Sequence, residues 1–65
     1  MKIMVNGKDT SVEDGATVAS LLEGLGLSDK RVAVEHNRVI LTRDGYGASF
    51  NEGDVIEIIS FVGGG

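Results

Sequence analysis

Met1, Ile3 and Val5 recur at every second position at the start of the chain, the period of a half-buried strand. Asn6-Gly7 follows at once. That pair suits a type I′ turn, which needs φ > 0 at both central residues, so Lys8–Val12 is expected to return as the second strand of a hairpin. The period then changes. Val18, Leu21, Leu22 and Leu25 stand at i, i+3, i+4 and i+7, one apolar stripe on a short helix. Thr17 is placed to cap its first turn. Gly24 weakens helix propensity inside the stripe, Gly26 suits the left-handed residue that closes a helix, and Leu27 is expected to pack back over the end.

From Val32 the period returns to two. Val32–His36 reads as a strand, Asn37-Arg38 as a turn, and Val39–Leu41 as a short return strand. Residues 42–53 carry Gly45, Gly47, Asn51 and Gly53 and read as loop with room for one helical turn, Tyr46 and Phe50 being its anchors. Asn51–Asp54 is a turn, and Val55–Val62 is the longest strand before Gly63-Gly64-Gly65. The order ββ, α, β, short β, loop, β means one sheet with a helix packed on one face, an α+β layer. The first and last strands are the most apolar and are expected to be central. Residues 1–62 form the domain, and 63–65 are expected to be a flexible tail.

Composition narrows the function classes. Sixty-five residues allow one domain, and a chain this short buries only roughly 60% of the surface its unfolded form exposes. Almost every apolar side chain is needed for one core, which leaves little interior for an enclosed active site. With no cysteine there is no disulfide, no thiolate metal site and no thiol nucleophile, and a reducing cytoplasm is the expected home. No apolar run approaches the ~20 residues that span a bilayer, and the first residues lack the centre of a signal peptide. A net charge of −4 argues against nucleic acid or an anionic membrane as partner, because both reward Lys and Arg, and suits a basic protein surface instead.

Side-chain catalysis finds no support. His36 is the only histidine, in register with Val32 and Val34, and is expected to pack near a strand end. Glu52 and Asp54 flank Gly53 in a turn, where solvation is the ordinary expectation. The serines lack a neighbouring base, and the Gly24 and Gly45 regions lack the strand–turn–helix frame of a phosphate loop. The terminus is different. Three consecutive glycines add no packing and lose the most entropy on ordering, so they do not serve the fold. An extended Val62–Gly65 segment reaches roughly 13–14 Å. Without side chains beyond Val62 it can thread a channel too narrow for a Cβ and carry the Gly65 carboxylate into another protein's active site. Beside it, strand alternation sends Ile56 and Ile58 toward the helix and Val55, Glu57, Ile59 and Phe61 to the other face, where Met4 joins them. Met4, Ile59, Phe61 and Val62 are thus expected to form an exposed apolar partner surface, unless Tyr46 or Phe50 covers it.

Four stretches carry a resemblance over nearly the whole chain: Ile3–Gly7, Thr17–Leu22, Val32–Arg43, and Glu52–Ile58 through the terminal glycines. The chain resembles the ThiS family, the sulfur carriers of thiamine biosynthesis, which are ubiquitin-like β-grasp proteins with a mixed sheet of four to five strands and one main helix. The resemblance implies that the Gly65 carboxylate is adenylated with ATP by an E1-like activating enzyme and converted to a thiocarboxylate. Sulfur comes by a cysteine desulfurase route, and thiazole synthase takes it to build the thiazole ring. It further implies that Gly63 and Gly64 are the threading segment and that the carrier is a monomeric co-substrate that binds no cofactor and catalyses nothing itself. His36, Arg38 and Thr42 depart from the family, which usually has an apolar residue, often Gly, and often Pro there. The small subunit of molybdopterin synthase and carriers for cysteine, methionine or tRNA thiolation share the carboxyl-end chemistry. Of other classes, a non-covalent ubiquitin-like binding module and a modifier conjugated through Gly65 to a lysine remain open.

Overall fold

The computed structural model describes residues 1–61. Strands β1 (Lys2–Val5) and β2 (Lys8–Ser11) form the expected hairpin, in register Ile3 opposite Thr10. Asn6 and Gly7 both have positive φ, 49° and 81°, as the turn requires. Asn6 does a second job: its side-chain oxygen accepts a hydrogen bond from the Ile58 N–H at 2.7 Å, tying the turn to the last strand.

Helix α1 spans Val18–Gly24. Its N-terminus carries a full capping box. Thr17 Oγ1 accepts from the Ser20 N–H at 3.1 Å, and Ser20 Oγ accepts from the Thr17 N–H at 2.9 Å. At the other end Gly26 is left-handed (φ 75°), the Leu27 N–H donates to the Leu22 carbonyl and the Gly26 N–H to that of Glu23. This is the Schellman arrangement that Gly permits. Leu27 packs against the core as expected, but Leu25 does not. It is the C-cap and 52% exposed, because the helix has closed before the fourth position of the stripe can turn inward.

Strands β3 (Val32–His36), β4 (Val39–Leu41) and β5 (Val55–Ser60) complete one five-stranded sheet, ordered β2-β1-β5-β3-β4. β5 lies at its centre, parallel to β1 and antiparallel to β3. β5 ends at Ser60, so Phe61 lies outside the strand expected to include it, and β2 ends one residue earlier than expected. The expected helical turn between β4 and β5 is a short 3₁₀ helix, Arg43–Gly47.

The core lies between α1 and one face of the sheet. It contains Ile3, Val18, Leu22, Val34, Phe50, Ile56 and Ile58, with Tyr46 and Leu41 packed against it. Phe50 and Tyr46 therefore seal the helix side and leave the opposite face of the sheet uncovered. Among the described residues no helix is long and apolar enough to cross a membrane.

The β3–β4 turn is strained. Asn37 and Arg38 adopt φ of 51° and 72°, and a left-handed Arg brings its Cβ against the following carbonyl. Arg38→Gly removes that clash and gives back part of the gain through a freer unfolded chain. It is expected to stabilise the fold by about 0.5–1 kcal/mol, read as a higher urea midpoint at unchanged slope.

Candidate functional site

Alternation along β5 places Ile56 and Ile58 in the core and Val55, Glu57 and Ile59 on the outer face. Register then assembles the neighbours. Met4 stands opposite Val55 across the parallel β1–β5 pair. Ala33 stands opposite Ile59 and Glu35 opposite Glu57 across β3–β5, and Ile40 stands opposite Glu35 across β3–β4. Met4 and Val55 are part-exposed, Ile59 is 51% exposed and Phe61, just beyond the strand, 56%. Met4 and Val55 therefore lie at one end of this exposed outer face and Ile59 and Phe61 toward the other, with Glu57 between them. Ile40, 69% exposed, extends it onto β4. That extension was missed because Val39-Ile40-Leu41 is an unbroken apolar run with no alternation to say which residue faces out. Val62, Gly63, Gly64 and Gly65 lie outside the described residues.

Strand β5 is held at its start by a buried polar knot. Asp54 is 7% exposed. Its Oδ2 accepts from the Asn51 N–H at 2.9 Å and faces His36 Nε2 at 2.7 Å, and its Oδ1 accepts from Asn37 Nδ2 at 3.1 Å. With the carboxylate ionised, His36 Nε2 is the donor. Asn37 completes the knot by accepting from the Val55 N–H at 2.8 Å. The His36 ring also meets Phe50 edge-on, with centroids 6.1 Å apart. Solvation of the Glu52/Asp54 pair was the expectation, and for Asp54 it is wrong. Gly53 turns the chain so that only Glu52 faces water, where it accepts from the Lys2 N–H at 3.1 Å, while Asp54 turns inward to satisfy three donors. Burial by itself pushes the Asp54 carboxyl up. The Asn51 N–H, His36 and Asn37 outweigh it and hold the group below its ordinary value of 3.8.

His36 and Asp54 engage each other, and Asp54 also accepts from the Asn51 backbone N–H. Among the described residues no group of three or more His, Cys, Asp or Glu side chains is placed to hold a metal ion.

Comparison with known proteins gives a consistent pattern. The model of the ThiS family matches residues 3–65. The chain is 40% identical to the sulfur carrier protein ThiS of Bacillus subtilis, over 97% of this chain and 98% of that one. It is 46% identical to a thiazole synthase of Magnetococcus marinus and 39% identical to one of Paramagnetospirillum magneticum. All of this chain aligns there, but it spans only 20% of the length of either enzyme. Among solved structures, a thiamine biosynthesis protein (ThiS) from Geobacter metallireducens superposes with a TM-score of 0.76 at 35% identity, covering 100% of both chains.

The knot has a pH signature. Because the Asp54 pKa is lowered in the folded state, its contribution to stability is complete above its ordinary value and is lost as pH falls through the folded value. Asp54→Ala is expected to cost about 2 kcal/mol at neutral pH, since it leaves buried donors unpaired. The gap between the two proteins should narrow below about pH 4, measured as urea midpoints across an acid series.

Proposed function

The chain belongs to the ThiS family, and from that premise we propose that it is the sulfur carrier for thiazole formation in thiamine biosynthesis, with the carboxylate of Gly65 as the group that carries sulfur. One observation carries the proposal most strongly: likeness to a sulfur carrier runs the length of both proteins, through the glycines that follow β5.

The chemistry needs nothing from this chain but a reachable end. A carboxylate is a poor acyl donor. An oxygen of Gly65 attacks the α-phosphorus of ATP in an E1-like adenylating enzyme, pyrophosphate leaves, and the acyl-adenylate has AMP as a good leaving group. The outer sulfur of a persulfide made by a cysteine desulfurase route attacks the acyl carbon and AMP departs, leaving an acyl disulfide. A second thiol then attacks the donor's own sulfur, forms a disulfide with it and releases the thiocarboxylate. Thiazole synthase is the acceptor in this reading. Its support is that two thiazole synthases contain a segment like this whole chain within a fifth of their length. The chain is then a cytoplasmic protein co-substrate with no cofactor of its own, ATP being consumed by its partner.

Gly63 and Gly64 are assigned to the channel, and Met4, Ile59, Phe61 and Val62 to the surface that docks on the enzymes. Threading glycines into a channel costs roughly 1–2 kcal/mol per residue in backbone entropy, so affinity has to come from the folded face. A pure binding module would use that face alone and keep its activity without Gly64-Gly65.

Two substitutions separate the roles. Gly64→Val should leave the melting temperature unchanged and abolish ATP–pyrophosphate exchange with the adenylating enzyme; unimpaired exchange would rule out a narrow channel. Phe61→Asp should weaken binding to the enzymes at least tenfold with under about 1 kcal/mol lost in stability, since Phe61 is mostly exposed. Intact mass of the native protein, showing one oxygen exchanged for sulfur, tests the carrier chemistry itself.

A further inference from the structure

Two carboxylates stand directly opposite each other in the middle of the apolar outer face. Glu35 on β3 and Glu57 on β5 are register partners, and like charges in that position repel. Apolar residues surround them: Val55 and Met4 toward one end of the strands, Ile59 toward the other, and Ile40 across from Glu35. Neither carboxylate has an ion-pair partner among the described residues. The fold gains nothing from this placement. It costs cross-strand repulsion, and among the described residues no cation pairs with either carboxylate.

We propose that Glu35 and Glu57 together receive an arginine of the protein that docks on this face, a proposal that rests on the docking role given to the face above. A guanidinium fits for physical reasons. Its planar fork can donate to two carboxylates at once, and it sheds water more readily than an ammonium does, as a contact ringed by apolar side chains requires. The complementary partner surface is apolar with one arginine near its centre, and arginine is enriched in such interface cores.

Other occupants fit less well. A second copy docking face to face by two-fold symmetry would bring its own Glu35 and Glu57 into the same interface, and Lys2, the lysine that alternation puts on the outer face of β1, stands beside Gly53, beyond Val55 and away from the two carboxylates. A metal ion would lack ligands, since no cluster of three acidic or histidine side chains exists among the described residues. A net charge of −4 also favours a basic partner surface in the approach.

The test is the double variant E35Q/E57Q, which keeps size and polarity and removes both charges. The free variant should melt at the same temperature as the parent or higher, because the repulsion is gone. Its dissociation constant for the adenylating enzyme or the thiazole synthase of the same organism, measured by calorimetry, should rise about 10- to 100-fold, the range for losing charged hydrogen bonds. Salt should weaken the parent's binding more than the variant's. Unchanged affinity for both enzymes overturns the proposal, and so does a lower melting temperature, which would show that the pair stabilises the fold. Phe61→Asp measured alongside keeps the two readings apart. If it loses binding while E35Q/E57Q keeps it, the docking face stands and the arginine falls. If neither loses binding, the docking face falls as well.

Discussion

A single helix of seven residues packs against a sheet of five strands, and it reaches only one of the sheet's two faces. The described residues supply no second layer, so among them the remaining face of the sheet is uncovered. Most small proteins would make that face polar. Here Met4, Ile40, Val55, Ile59 and Phe61 stay on it, exposed, while Ile56 and Ile58 in the same central strand are buried. β5 thus serves two surfaces by simple alternation, the core through its even-numbered isoleucines and the outside through its odd-numbered residues.

Central position makes β5 sensitive to register, since a slip of one residue would exchange its core and outer faces. Three polar side chains guard against that slip. Asn6 binds the Ile58 N–H from the first turn, Asn37 binds the Val55 N–H from the β3–β4 turn, and Asp54 gathers Asn51, His36 and Asn37 at the strand's beginning. Both asparagines have positive φ, a conformation Asn tolerates better than most residues, and the same turn that demands it aims the amide at the neighbouring strand. Local turn chemistry and long-range pairing agree at these positions, which is how a chain with a thin margin of stability specifies one register.

Much of this was legible because the periods are clean. The Asn6-Gly7 hairpin, the Thr17-capped helix, the return to strand at Val32 and the inward and outward halves of β5 all follow from spacing alone. What spacing does not encode is direction at a boundary. Leu25 matches the helical stripe by count, yet the Gly26 closure exposes it. Asp54 belongs by composition to a solvated turn, yet two of its three donors, His36 and Asn37, come from 18 and 17 positions away in sequence. The facing of Glu35 and Glu57 is likewise a product of the β3–β5 pairing, a contact between distant segments that neither segment's own pattern announces.

In the proposed carrier, affinity and chemistry are divided along the same line. An acyl group that must enter another protein's active site gains nothing from side chains on its own approach, because each would need space in the channel and would itself have to be ordered. Glycines minimise the first requirement and leave the entropic cost of the second to be offset elsewhere. Among the described residues, the face the helix does not cover carries exposed Met4, Ile40, Val55, Ile59 and Phe61, whose burial on a partner can offset it without disturbing the core. That face lies on the strand which leads directly to the glycines, so a partner gripping β5 from outside holds the chain at the point from which the tail departs.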